Sequence, residues 1–156
     1  MTYILILIGV YFAALSVLAI AARPQRKRLL ELGEALQQES MTPVEREFIT
    51  MQVSSTYSWR SAIILSLLFL SGLFRSIKTI ERECAGFDER YPFLANDERV
   101  FELMDLHFVS AIAVNPLFGM LAIVFRQAFR IKLMLRNSDS AETRKAVDII
   151  GLAATA

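Results

Sequence analysis

The stretch that decides the fold is His107 to Phe125, HFVSAIAVNPLFGMLAIVF, which carries no Lys, Arg, Asp or Glu and has Asn115-Pro116 at its centre. As a helix rising ~1.5 Å per residue it is about as long as the ~30 Å hydrocarbon core of a bilayer is thick. The sequence therefore predicts a membrane span over 106–125. Pro116 removes the donor that would bond the Ile112 carbonyl and disfavours helical geometry at Asn115, so a kink is expected at mid-membrane.

Two further charge-free runs lie N-terminal to it, Tyr3 to Ala22 and Ser61 to Phe74. Of the 156 residues 54% are apolar and 21% charged, and mean hydropathy is +0.43. Such a chain is too apolar for an ordinary soluble domain and too charged to lie wholly in lipid, and the charges are indeed segregated between and after the apolar runs. The predicted fold class is an all-α integral membrane protein with three transmembrane helices, N-out and C-in, over 3–22, 59–78 and 106–125. The same reading assigns 23–58 to a cytoplasmic helical hairpin, 79–105 to an acidic outer loop and 126–156 to a basic amphipathic helical tail, all in one membrane domain over 1–156.

The orientation follows from the basic residues. Arg23, Arg26, Lys27, Arg28, Arg46 and Arg60 lie between the first two runs, and Arg126, Arg130, Lys132, Arg136, Arg144 and Lys145 follow the third. Both sets belong on the cytoplasmic or matrix side. Between Arg75 and Asp105 the acidic residues Glu81, Glu83, Asp88, Glu89, Asp97, Glu98, Glu102 and Asp105 outnumber Arg75, Lys78, Arg82, Arg90 and Arg99, which suits the opposite side. The first run has its positive charges after it rather than before it, unlike a secretory signal, and reads as a retained helix despite Ala19-Ile20-Ala21. The middle run is short, ~21 Å as a helix, and spans only if Arg60 and Arg75 snorkel from its ends. Its competing reading, a re-entrant hairpin, returns the acidic loop to the cytoplasmic side.

Local signals place the helices outside the spans. Arg26 to Glu39 reads as one helix, and Thr42-Pro43-Val44-Glu45 is a capping box with proline at the first helical position. Ala85 to Asn96 is expected to be irregular, with a new helix opening at Asn96. Beyond the third run the helix is expected to continue to about Asn137, with a last short helix opening at Ser138-Asp139-Ser140.

The functional reading rests largely on exclusion. Pumps, transporters and most channels place ionisable groups at membrane depth, and none lies within the three runs. One histidine with no motif offers no triad, no HExxH and no phosphate-cradling loop, so no enzyme is expected. One cysteine, Cys84, makes no internal disulfide, and a net charge of +1 gives no case for nucleic acid. The carboxylates of the acidic loop are interleaved with arginines, and no metal site is expected there. Small residues form candidate helix-packing stripes: Gly9 and Ala13, then Ser58, Ala62 and Ser66, then Ala111, Asn115, Pro116 and Gly119. Arg23, Arg26, Lys27, Arg28, Arg126, Arg130, Lys132 and Arg136 are candidate topology or anionic-headgroup anchors.

These features describe a non-catalytic accessory, structural or assembly subunit of a larger complex in a bacterial or organellar inner membrane. Its expected partners are other integral membrane subunits and anionic lipid headgroups, with no cofactor. Two alternatives differ in class. The N-out three-span layout with a basic tail resembles, in topology alone, the class I phage holins, which implies a pore former; the long helical loop departs from their pattern. The other is a cofactor-carrying subunit with His107, at the mouth of the third run, as axial ligand.

Overall fold

The computed structural model describes residues 2–135 together with 146, 147 and 149, and among them every regular element is helical. Eight α-helices follow one another: α1 (Thr2–Ala21), α2 (Arg23–Gln37), α3 (Pro43–Ser54), α4 (Trp59–Phe74), α5 (Ile77–Arg90), α6 (Pro92–Asn96), α7 (Glu98–Val114) and α8 (Pro116–Met134). A 3-10 turn, Ser55–Tyr57, joins α3 to α4, and these two helices meet at 114°.

α1 is the one described helix that is by itself long and apolar enough to cross a membrane; an N-terminal signal sequence has the same character. The bent pair of α3 and α4 meets that measure only when the two are taken together. None of the α1 apolar stretch is buried against the rest of the chain. It runs into α2 with almost no interruption, since Ala22 donates to the Leu18 carbonyl (2.9 Å) and Arg26 to that of Ala22 (3.0 Å). Hydrophobic side chains change role at this joint: α1 shows them to the outside, whereas α2 buries Leu29, Leu32 and Leu36.

Two hydrophobic cores lie behind that joint. The first gathers Leu29, Leu32 and Leu36 of α2, Phe48 and Ile49 of α3, Leu94, and Val100, Leu103 and Met104 of α7. α3 opens on the expected capping box: the Thr42 hydroxyl accepts from the Glu45 amide (3.3 Å), and the Glu45 carboxylate accepts from the Thr42 amide (3.0 Å). The other Glu45 oxygen accepts from the Phe93 amide at 3.0 Å, so the same side chain ties α3 to the start of α6. The second core joins Ala62, Leu65 and Phe69 of α4, Phe108 and Ala111 of α7, and Ala122, Phe129 and Leu133 of α8.

Three contacts connect segments that a three-span layout sets on opposite faces of a membrane. Arg28 pairs with Glu102 at 3.0 Å, Glu39 with Arg99 at 2.9 Å, and Glu45 holds Phe93. Residues 23–58 and 79–105 thus pack against each other. The acidic stretch is also more regular than expected, with α5 and α6 occupying most of Ala85 to Asn96. Pro92 opens α6, whose missing amide costs a helix start nothing.

The 106–125 run is corrected in its geometry: it forms two helices rather than one kinked span. α7 ends at Val114, α8 begins at Pro116, and Asn115 adopts φ −138° and ψ 84° between them. Asp105 and Arg126, 21 positions apart, lie 2.6 Å from each other. In one continuous helix they would be ~31 Å apart. The chain therefore reverses at Asn115 into a helical hairpin, whose charge-free part between Asp105 and Arg126 extends about half a bilayer core from base to tip. α8 carries the helix beyond the run to Met134, and Arg136, Asn137 and the Ser138-Asp139-Ser140 start of the last expected helix lie outside the described residues.

Candidate functional site

The hairpin tip and the α1–α2 joint sit side by side. α2 runs antiparallel to α7, as Glu39 meets Arg99, Gly33 approaches Leu103, and Arg26 reaches the Ser110 carbonyl (3.5 Å). α1, which runs into α2 with almost no break, also contacts α7 and has Leu15, Leu18 and Ala19 half-buried. α3 reaches this end from the other side and leaves Tyr57 beneath Arg26, whose guanidinium lies 5.0 Å from the ring centre. Trp59 and Arg60 follow at once and stack on each other at 5.8 Å.

Around this end the surface is apolar. Val109, Leu117, Met120, Leu121, Ile123 and Val124 are exposed on the two hairpin arms, Leu117 and Met120 to 63% and 66%. Ile64 and Leu67 of α4 are exposed as well. Large apolar side chains left in this number on a folded body mark a surface that meets something other than water.

The candidate packing residues fall into two groups. Ala62, Ser66, Ala111 and Gly119 lie where α4, α7 and α8 meet. A Cβ at Gly119 would stand 2.6 Å from the Ile112 Cα, so only glycine lets the hairpin arms approach this closely. The Ser66 hydroxyl lies 2.7 Å from the Phe118 carbonyl across the α4–α8 contact and 2.7 Å from the Ala62 carbonyl in its own helix. Ser58 and Asn115 are N-caps: Ser58 accepts from the Arg60 amide (3.3 Å) and Asn115 Oδ1 from the Phe118 amide (3.4 Å). Pro116 occupies the first position of α8, where its fixed φ fits. Gly9 and Ala13, by contrast, are on exposed α1, with nothing within 4 Å of a Cβ placed at Gly9.

The basic residues also separate. Arg23 and Lys27 are exposed at the joint, Lys27 with only a 3.7 Å pairing to Glu31, and Arg130 is exposed on α8. Arg26, Arg28 and Arg126 are engaged within the fold, Arg126 with Asp105 and 4.7 Å above the Phe108 ring. Lys132 does something the sequence did not announce. Its Nζ donates to the carbonyls of Gly72 (3.0 Å), Leu73 (2.8 Å) and Arg75 (2.6 Å), placing a cation on the negative end of α4. Arg136 lies outside the described residues.

His107 is fully buried rather than interfacial. Burial pushes its pKa down to about 4, partly offset by the backbone carbonyl of Gln52, so the ring is neutral at ordinary pH. With Leu65, Phe69, Met104, Phe108, Arg126 and Val147 it lines a half-open pocket of about 20 Å³. That is space for one water, which would serve a ring whose two nitrogens lack hydrogen bonds of good geometry, and far too little for a porphyrin. Among the described residues no three His, Cys, Asp or Glu side chains converge as a metal site.

Electrostatics elsewhere serve the fold. Burial raises the Glu45 pKa, but the amide and hydroxyl of Thr42 and the amides of Phe93 and Leu94 together outweigh it and leave the carboxyl below its usual range. The side-chain bond from Arg99 holds Asp97 low in the same sense. The chain matches no protein-family model, no curated protein and no solved structure.

Proposed function

We propose that this protein is a non-catalytic accessory or assembly subunit, held in a bacterial or organellar inner membrane by α1 and presenting its helical body on the basic, cytoplasmic or matrix side. The observation that carries this reading is α1 itself, a 20-residue apolar helix with no fully buried residue in its apolar stretch and only Leu15, Leu18 and Ala19 half-buried, while the chain's other helices bury their apolar faces. Such a helix requires lipid or the membrane helices of a partner around it.

Of the topologies, one span supports the contacts best. A three-span layout would require residues 23–58 and 79–105 to lie across a bilayer from each other, against the Arg28–Glu102, Glu39–Arg99 and Glu45–Phe93 contacts. It would also require consecutive spans to alternate in direction. α4 and α8 run parallel instead: Ser66 meets Phe118, Gly72 meets Phe129 and Arg75 meets Lys132. Arg23, Lys27 and Arg60 at the base of α1 keep the body on the positive side.

Purification of tagged protein from native membranes in mild detergent tests the proposal. Stoichiometric membrane partners are expected. Recovery of a partner-free protein, or release of the chain by alkaline carbonate washing, overturns it.

A further inference from the structure

We propose that the tip of the α7–α8 hairpin is a membrane-inserting element, dipping into the same leaflet that α1 enters while the rest of the body stays at the surface. The proposal rests on anchoring by α1 and adds a second, non-spanning contact with the bilayer, whose occupant is lipid.

Four observations converge on it. The hairpin adjoins α1: α1 contacts α7 and has Leu15, Leu18 and Ala19 half-buried, and the start of α2, into which α1 runs, reaches the Ser110 carbonyl through Arg26. Between Asp105 and Arg126 the hairpin has no charge, and these two flanking charges neutralise each other at its base, 2.6 Å apart. Several backbone groups of the reversal are bonded within it: the Asn115 amide donates to Ala111 (3.1 Å), the Gly119 amide to Asn115 (2.7 Å) and the Phe118 amide to Asn115 Oδ1 (3.4 Å), and Pro116 has no amide to satisfy. Each such bond matters in hydrocarbon, where an unpaired backbone group costs several kcal/mol.

The fourth observation sets the depth. Tyr57 lies beneath Arg26, Arg26 is level with Ser110, and Trp59 and Arg60 follow Tyr57 directly. Together with Arg23 and Lys27 they form a belt of amphipathic aromatics and exposed cations suited to anionic headgroups. Asn115 lies five residues beyond Ser110, so the tip reaches ~7.5 Å past this belt, within the ~5–10 Å that interfacial helices enter. Leu117 then faces acyl chains, while Met120 and Leu121, one turn further along α8, return to about the level of the belt.

The chain has a single tryptophan, Trp59, which makes the test direct. In the full chain carrying Trp59→Phe, a new tryptophan is placed at Met120, at Leu117 or, as a marker for α1, at Phe12, all of them exposed positions. Each protein is reconstituted into phosphatidylcholine–phosphatidylglycerol vesicles with or without lipid brominated midway along its acyl chains. Loss of emission in brominated vesicles for Phe12→Trp and Leu117→Trp, and more weakly for the shallower Met120→Trp, with iodide quenching suppressed, is the expected result. If Phe12→Trp is quenched by bromine but both tip variants respond only to iodide, the tip is outside the bilayer and this inference fails while anchoring by α1 stands. Tip variants shielded from bromine and iodide alike are covered by protein, which also overturns it. If Phe12→Trp responds only to iodide, anchoring by α1 fails and the present proposal fails with it.

Discussion

Asp105 and Arg126 close the base of the α7–α8 hairpin, their oxygen and nitrogen 2.6 Å apart, with the Arg126 guanidinium also lying 4.7 Å from the centre of the Phe108 ring. Both side chains keep some solvent contact, which limits the strength of the pair. A double-mutant cycle with Asp105→Asn and Arg126→Met is expected to give a coupling of about 0.5–1 kcal/mol in denaturant unfolding. A coupling indistinguishable from zero would show that apolar packing alone holds the arms together.

Gly119 and Gly9 separate two kinds of small residue. A methyl at Gly119 would strike the backbone of Ile112 at 2.6 Å, whereas one at Gly9 meets nothing within 4 Å. Gly119→Ala should destabilise the body by about 1–3 kcal/mol, as overpacking does. Gly9→Ala should leave stability unchanged, so equal losses for the two variants would contradict the hairpin geometry. If Gly9 serves contacts between membrane helices, its substitution is seen in co-purification instead.

Lys132 was a candidate headgroup anchor by sequence, yet its ammonium group is occupied by three carbonyls at the end of α4. Lys132→Met is therefore expected to cost about 1–2 kcal/mol of stability through the lost helix-terminus charge and hydrogen bonds. Its effect on binding to anionic vesicles should be small. Exposed Lys27 should behave in the opposite way: Lys27→Gln weakens vesicle binding and spares stability.

His107 gives the fold an acid sensitivity of definite sign. Its pKa falls from 6.5 to about 4 on folding because the charged ring is poorly solvated in the core. The unfolded chain then binds the proton more readily, and stability declines as pH falls from about 6.5 towards 4. Thermal unfolding across that window should show the decline in the native protein and a flatter profile in His107→Leu. Glu45 acts lower: its depressed pKa gives stability present above about 4.5 and lost as the carboxyl protonates, so Glu45→Gln should remove the decline below that pH.

Local elements were legible in the sequence because they depend on neighbours. The Thr42-Pro43-Val44-Glu45 box appears as read, and the helix expected to open at Asn96 opens two residues later, at Glu98 with Asp97 as its cap, while Asn96 closes α6. The all-helical character followed from the same reasoning. Ser66, Ala62, Ala111 and Gly119 were chosen as small residues suited to close approach, but nothing in their spacing said that the approach would be between α4, α7 and α8 of this same chain. His107 could not be read from sequence, since its burial comes from elements far away along the chain.

What the sequence by itself determined is the chemistry of HFVSAIAVNPLFGMLAIVF: uncharged, apolar, and unable to remain a regular helix through Asn115-Pro116. What only the tertiary structure decided is how far the chain turns there. A proline at mid-run permits a modest kink or a full reversal, and the choice is made by partners distant in sequence: Asp105 with Arg126, Ile112 against Gly119, and α4 laid along α8. Periodicity and charge counts register hydrophobic length but not direction. The same nineteen residues therefore serve equally as a membrane span or as a two-armed hairpin until long-range packing selects between them.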